Sequence, residues 1–333
     1  MSPTLVIQTA FLGDVVLTTG LLAVLAERFG PVDVVTTPGA AMLLETHSAV
    51  RQVIRYDKRG ADRGFGGLFR LAGRLRKERY ARVYLPHRSL RSAALARVAR
   101  IDERIGYTGA PGAWSYTRRI PRPGTGHEAE RILALAEPPP GARAKVSLDL
   151  TAEDRQKAGA WLTTHNVGTP FVAMAPGSIW GTKRWPGYGE LARVLDLPVV
   201  AVGGPEDRDL SAAIVAAAPG RAHSAAGELS LRESAALLER AAVLVTNDSA
   251  PLHLATAVGT PVVAIFGPTV PAFGFGPRGP KDRIVELVGL SCRPCSSHGP
   301  RVCPLGHHRC MRELSVATVV REIASGSLAP RDD

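Results

Sequence analysis

The sequence predicts an α/β fold with parallel sheets, and three observations carry that prediction. Short apolar runs alternate with segments of helical period along most of the 333 residues. Several of the runs (LVI, VDVV, VVAIF) are apolar on both faces, as strands covered by helices on either side are. Residues 245–268, VTNDSAPLHLATAVGTPVVAIFGP, form a complete strand–loop–helix–strand unit. Its apolar strand, 241–246, gives way to Asn247-Asp248-Ser249, three side chains able to cap a helix, and Pro251 stands where a first turn tolerates proline. The helix, 252–258, stops at Gly259, and PVVAIF follows as a buried strand ending at Gly267-Pro268. Free amides and the helix dipole at such an N-terminus favour an anion, although the same residues also make an ordinary capped helix.

In chain order, residues 5–8 are the first strand, Thr9 to Asp14 its loop, and 15–29 a helix with apolar residues at helical spacing. A strand at 32–36, a helix beginning at 40–44 and a short strand at 53–54 follow. Residues 58–67, KRGADRGFGG, are rich in glycine and charge and read as a mobile loop. A basic helix at 68–79, a strand at 81–85, an arginine-studded helix at 90–100 and a strand closing at 105–107 complete the first set. EPPPG, 137–141, is a turn-rich break, and 152–164 is a helix with Trp161 and Leu162 on its apolar side. Strands at 171–175 and 199–202 and helices at 188–195 and 230–239 build a second set before the 241–268 unit. A helix at 313–323 and a frayed tail, 326–333, end the chain. Two domains fit this length, with boundaries expected at 1–165 and 166–325.

Hydrophobic content of 45% and charged content of 21% are those of a soluble globular protein. No run approaches the ~18–20 apolar residues of a membrane span. MSPTLVIQTAFLGDVV lacks a basic leader and carries a charge inside its apolar run, so it reads as a first strand, not a signal peptide, and the expected location is the cytoplasm. The net charge of +11 is concentrated: residues 51–122 hold 19 Lys/Arg against 5 Asp/Glu, a balance of +14, which leaves 11 − 14 = −3 for the remainder. A basic region of this kind suits nucleic acid, an anionic membrane surface or an anionic substrate, or is simply a solvated face. Aromatics make up only 5% and do not interleave the basic run as stacking platforms would, which argues against nucleic acid.

Asp14 has two readings. It is an N-terminal cap for its helix, or a carboxylate at the C-terminal end of the first strand, where open α/β sheets keep ligands; the residues alone favour the cap. APGSIWGTKRWP, 175–186, lies between a strand and a helix, so Gly177 and Ser178 can bring amides to a phosphate and Lys183 a mobile positive charge. VGGPE, 202–206, repeats the arrangement and ends in Glu206, a candidate for a ribose diol or else a first-turn acid that the helix dipole favours. Three such loops point to one ligand at the sheet's rim, a nucleotide with phosphates. No GxGxxG or Walker A pattern is present, which leaves the usual dinucleotide fold and a P-loop unsupported.

LGDVVLT, APGSIWGTKRWP, GGPED and VTNDSAPLHLA with GTPVVAIFGPT, in that order, resemble the bacterial ADP-heptose:lipopolysaccharide heptosyltransferases, glycosyltransferase family 9. The resemblance spans essentially the whole chain. It implies a GT-B fold, two Rossmann-like domains facing a central cleft, with the acceptor mainly on the first and the nucleotide sugar mainly on the second. It implies inverting chemistry that needs no metal or other cofactor. By position, Asp14 resembles the general base and Lys183 the lysine that neutralises the diphosphate leaving group. Gly177 and Ser178 would lie along the diphosphate, Glu206 would hold the ribose and Leu229 would pack on adenine. Asp248 resembles the carboxylate that holds the heptose hydroxyls, with Ser249, Ala250 and His253 around the sugar phosphate; this chain reads Ser249-Ala250-Pro251 where the family often has a glycine. The implied acceptor is an anionic lipid A precursor carrying Kdo at the inner face of the inner membrane, which gives the basic region a use. Arg59, Arg63, Arg88 and Arg91 are the candidates for holding it, and the enzyme is expected to be a monomer.

All four cysteines cluster as Cys292, Cys295, Cys303 and Cys310, with His298, His307 and His308 nearby. Metal, disulfide and free thiols all remain open for them, and the spacing matches no standard zinc pattern. Two other readings stand beside the heptosyltransferase: a relative that uses another nucleotide sugar or acceptor, and a non-catalytic binder of nucleotide sugars or polyanions. Asp14 and Lys183 in different domains argue against the binder, which would have no use for a base.

Overall fold

The computed structural model describes residues 3–326, and the chain divides into two units, Met1–Asp149 and Leu150–Asp333. The first contains β1 (Thr4–Ile7), α1 (Leu12–Phe29), β2 (Val32–Thr36), a short α2 (Pro38–Ala41), β3 (Val50–Arg55), α3 (Gly64–Lys77), β4 (Arg82–Leu85), α4 (Leu90–Val98), β5 (Glu103–Tyr107), β6 (Arg118–Ile120) and α5 (Glu128–Leu133). All strands are parallel, in the order β3-β2-β1-β4-β5-β6. From β1 the chain winds outward to β3, then crosses back to β4, so a topological switch point lies between β1 and β4. Leu5, Val6 and Ile7 are fully buried, as a central strand covered on both faces requires. Gly20 lies within α1 where a Cβ would come 2.9 Å from that of Ala144, so the glycine admits the irregular segment that closes the unit. The Thr19 hydroxyl accepts the Ser147 N–H there at 3.1 Å.

The second unit contains α6 (Ala152–Thr164), β7 (Val172–Ala175), α7 (Tyr188–Val194), β8 (Val199–Ala201), α8 (Arg208–Ala217), β9 (Ala222–Ser224), α9 (Leu231–Arg240), β10 (Val243–Asn247), α10 (Ala250–Ala257), β11 (Val262–Phe266), β12 (Arg283–Glu286), α11 (Arg309–Arg312) and α12 (Val316–Gly326). Its sheet, also all parallel, runs β12-β11-β10-β7-β8-β9. That is the same winding as in the first unit, with the switch point between β7 and β10. Two Rossmann-like units without a GxGxxG motif make the GT-B architecture. The glycine fingerprint belongs to one way of holding a dinucleotide; the strand order does not depend on it.

The structure departs from the sequence reading in specific places. The second unit begins at Leu150, not 166. Helix α6, capped reciprocally by Thr151 and Asp154 (3.1 and 2.8 Å), belongs to it because Arg155 forks onto Glu239 of α9 at 2.7 and 2.9 Å. Local pattern shows that a helix has an apolar side, not which core that side covers. The stretch 58–67 is a loop only to Arg63, and α3 starts at Gly64. Asp57 folds that loop on itself by accepting the Gly60 and Ala61 amides at 2.9 and 3.1 Å. Strands β6, β9 and β12 were not anticipated. All three are sheet edges, where one ladder suffices and RRI, AHS and RIVE need no continuous apolar run. Helices α5 and α8 were also missed, and α12 starts at Val316 instead of 313. Apart from its first residue, the frayed tail expected at 326–333 lies outside the described residues.

Candidate active site

In the first unit the loops after β1, β3 and β4 share the C-terminal rim of the sheet. Asp14 lies in the first turn of α1, and its carboxylate accepts the Phe11 N–H at 3.2 Å. The helix starts at Leu12, not 15, with Phe11 as its N-cap, so Asp14 is the third helical residue and reaches back to the cap amide instead of being the cap itself. Burial pushes the carboxyl up to about 6, and the charge of Glu128 adds to the rise, against the Phe11 amide and the Arg122 guanidinium. Glu128, at the start of α5, is buried between Arg122 (2.5 Å) and Arg131 (3.5 Å). Sequence reading did not single out this cluster, because nothing local links residue 14 to 122–131; α5 reaches it only by packing on α1.

The loop after β3 is tied to the one after β1 by Lys58, whose ammonium donates to the Thr9 carbonyl at 2.5 Å. Burial lowers the pKa of Lys58, with Arg59 and Arg91 beside it adding to the fall. Arg91, in the first turn of α4, donates to the Tyr56 hydroxyl at 3.3 Å, and Arg88 to the Gly109 carbonyl at 3.1 Å. Arg59 and Arg63 are exposed on the loop itself. Arg59, Arg63 and Arg88 thus stand on the loops after β3 and β4, and Arg91 in the helical turn that follows the second.

In the second unit five loops follow strand ends across the rim. In sheet order they are 267–269 after β11, 248–249 after β10, 176–183 after β7, 203–207 after β8 and 225–229 after β9. Lys183 and Asp248 meet at the switch point between β7 and β10, Nζ to Oδ2 at 2.5 Å, and Nζ also donates to the Asp248 carbonyl at 3.2 Å. The Thr269 hydroxyl donates to the same Oδ2 at 2.7 Å. Lys183 is only 8% exposed, so this is an enclosed ion pair. Ser249 precedes α10, and its hydroxyl donates to the Asn247 carbonyl at 3.4 Å instead of capping the helix. Ala250 is the first helical residue, and the His253 ring is buried edge-on to Phe275.

Gly177 is required by packing between loops: a Cβ there would collide with the Asp207 carboxylate. Burial, with Glu206 alongside, raises the pKa of Asp207. The Ser178 hydroxyl accepts the Trp180 amide at 3.3 Å and its carbonyl accepts Arg184 at 2.9 Å. Glu206 is exposed and has no hydrogen-bond or ionic partner among the described residues. Leu229 is half-buried in the neighbouring loop, which is joined to that of Glu206 by Gly227 N–H to Gly203 carbonyl at 3.0 Å.

Three contributors have roles that the sequence reading did not assign: it offered Asn247 only as a helix cap, left the cysteine segment without a role and did not name Arg293. Asn247 is fully buried at the end of β10; its amide donates to the Pro176 carbonyl at 2.9 Å, and its oxygen accepts the Trp185 N–H (3.1 Å) and the Tyr188 hydroxyl (3.2 Å). One side chain therefore fixes both ends of the Lys183 loop to the strand that carries Asp248. Arg293, almost wholly buried, donates to the carbonyls of Gly267, Phe266 (3.3 Å) and Thr269 (2.9 Å) and pairs with Glu286 at 2.8 Å, which shapes the loop that presents Thr269. The segment with the cysteines then runs over the Lys183 loop. Thr182 donates to the Pro300 carbonyl, His308 Nε2–H donates to the Thr182 carbonyl at 2.7 Å, and a Cβ at Gly299 would come 3.4 Å from the Lys183 stem. All four cysteines are free thiols, and among the described residues no three His, Cys, Asp or Glu converge to hold a metal ion.

Comparison with known proteins gives a consistent result. The family model for glycosyltransferase family 9 (heptosyltransferase) matches residues 68–305. Lipopolysaccharide heptosyltransferase 2 of Salmonella typhimurium is 28% identical over 307 residues, covering 85% of this chain and 88% of that protein. The Escherichia coli protein of the same name is 28% identical over 313 residues, with the same coverage. Among solved structures, a family 9 glycosyl transferase from Veillonella parvula matches with a TM-score of 0.85 at 23% identity over 97% of this chain and 96% of that one. E. coli ADP-heptose lps heptosyltransferase II matches at 0.80 and 24% identity over 97% of each chain.

Proposed function

The chain belongs to glycosyltransferase family 9, the heptosyltransferase family, and from that premise we propose that it transfers L-glycero-D-manno-heptose from ADP-heptose to the inner core of a lipopolysaccharide precursor. The transfer inverts the anomeric carbon and uses no metal ion. The order of loops along the second rim carries this reading. Leu229, Glu206, Gly177 and Ser178, Lys183, then Asp248 with Thr269 follow one another across five neighbouring strands. A nucleoside-diphosphate sugar laid along the rim would meet them in its own order: base, ribose, diphosphate, sugar. With strands ~4.8 Å apart, four steps span ~19 Å, room for an extended nucleotide sugar.

In this mechanism Asp14 accepts the proton of an acceptor hydroxyl as its oxygen attacks the anomeric carbon. The bond from that carbon to the diphosphate oxygen breaks, and ADP leaves with the electron pair. Lys183 supplies the charge that stabilises the leaving group, and Asp248 is then free to take sugar hydroxyls. The pairing of Lys183 with Asp248 holds both side chains in place beforehand. Arg59, Arg63, Arg88 and Arg91 hold the anionic, lipid-borne acceptor at the inner face of the inner membrane, and the enzyme acts as a monomer.

Calorimetry with ADP, UDP, GDP and CMP, with Mg²⁺ or EDTA, tests the donor. The expected outcome is tightest binding of ADP, unchanged by EDTA, followed by turnover with ADP-heptose. Preference for UDP would transfer the reading to another nucleotide sugar, and absence of any nucleotide binding would remove it.

A further inference from the structure

Helix α3 buries Leu68, Leu71, Ala72 and Leu75 in the first unit. About a quarter turn round from that side stand Phe65, 81% exposed, and Phe69, 58% exposed, one turn apart. The buried residues seat the helix on the sheet, so two rings this exposed contribute little to folding. Its surroundings are cationic: Arg70, Arg74, Arg76 and Lys77 share the helix, which contains no acidic residue. Arg74 and Lys77 are exposed and have no ionic partner among the described residues. Leu90, 53% exposed, opens α4, the helix packed against α3. Gly66 and Gly73 leave the outward face without ridges for a shaped protein groove to grip.

Phenylalanines on a helix lying flat, flanked by arginine and lysine, are the chemistry of an interfacial helix. The rings enter the boundary between headgroups and acyl chains while the cations meet headgroup phosphates. No described helix is long and apolar enough to cross a membrane. We propose that the outer face of α3, through Phe65, Phe69, Arg74 and Lys77, docks the first unit on an anionic lipid bilayer. The proposal rests on the acceptor being lipid-borne. It places the arginine loop, 58–63, which leads directly into α3, at the level of the lipid headgroups.

The test is co-sedimentation of the full-length protein with phosphatidylglycerol-containing vesicles and with vesicles of phosphatidylcholine alone. The wild type should sediment with the anionic vesicles only. Phe65→Ser with Phe69→Ser should weaken that binding about tenfold or more, and Arg74→Gln with Lys77→Gln should weaken it most at low salt. Both variants should keep wild-type ADP affinity and wild-type transfer to a deacylated, water-soluble acceptor, which shows that they are folded. Failure of the wild type to bind anionic vesicles, or equal binding by the serine variant, would overturn the docking face. A protein that binds these vesicles through the phenylalanines yet transfers no heptose would keep the docking face and lose the heptosyltransferase reading alone.

Discussion

Asp14 titrates where a base for neutral pH is wanted. With its carboxyl lifted to about 6 by burial, it is ionised and able to accept a proton above that pH and neutral below it. Turnover should therefore decline about tenfold per unit below pH 6 and level off above it. Asp14→Asn should lower kcat by ~10²–10⁴ and remove the acid limb, while calorimetry finds ADP affinity unchanged. Equal losses of turnover and ADP affinity would show that Asp14 serves binding instead. Lys183→Met is expected to cost ~10²–10³ in kcat, since it deletes the charge proposed to meet the leaving group. The sequence offered both residues as candidates, because each follows a strand and precedes a helix. Their partners were not legible: Glu128 beside Asp14, and Asp248 under Lys183, come from segments far along the chain.

At the level of elements, the segment with the cysteines matters for what its backbone and His308 hold. His308 anchors the Thr182 carbonyl, one residue from Lys183, and Gly299 flanks the lysine stem. His308→Ala should lower kcat about tenfold through a misplaced Lys183, with little change in ADP affinity, and His308→Gln, which keeps a donor, should restore part of it. A loss confined to thermal stability would make the contact structural only. Arg293→Ala removes a cation that spans four backbone carbonyls and Glu286, and should cost ~2–3 kcal/mol in denaturant unfolding through the carbonyls left without a donor. CPLGHH was visible as an unusual stretch. That it lies over APGSIWGTKRWP was not, since the two are joined only by tertiary hydrogen bonds.

For the molecule as a whole, charge is divided between functions. The +14 of residues 51–122 belongs wholly to the unit with the proposed acceptor site, while the rest of the chain is slightly acidic. Raising salt should therefore weaken apparent affinity for an anionic acceptor several-fold in steady-state kinetics, because exposed arginines are screened. ADP, proposed to lie by the enclosed Lys183, should respond less in calorimetry. A similar response of both would mean that the arginines act on the whole reaction, not on the acceptor.

Local pattern was enough for the α/β class, most central strands, the position of each candidate loop after a strand, and the uneven charge. These are local properties: residue period, turn chemistry and composition act within a few residues. The tertiary structure decided the strand order that brings β7 beside β10, and with it the meeting of Lys183 and Asp248 across the switch point. It also decided the burial that retunes Asp14, the bracing by Asn247 and Arg293, the unit to which α6 belongs, and the short edge strands. Each of these depends on groups distant in sequence that only chain crossover and packing bring together, and no local pattern encodes which of them will meet.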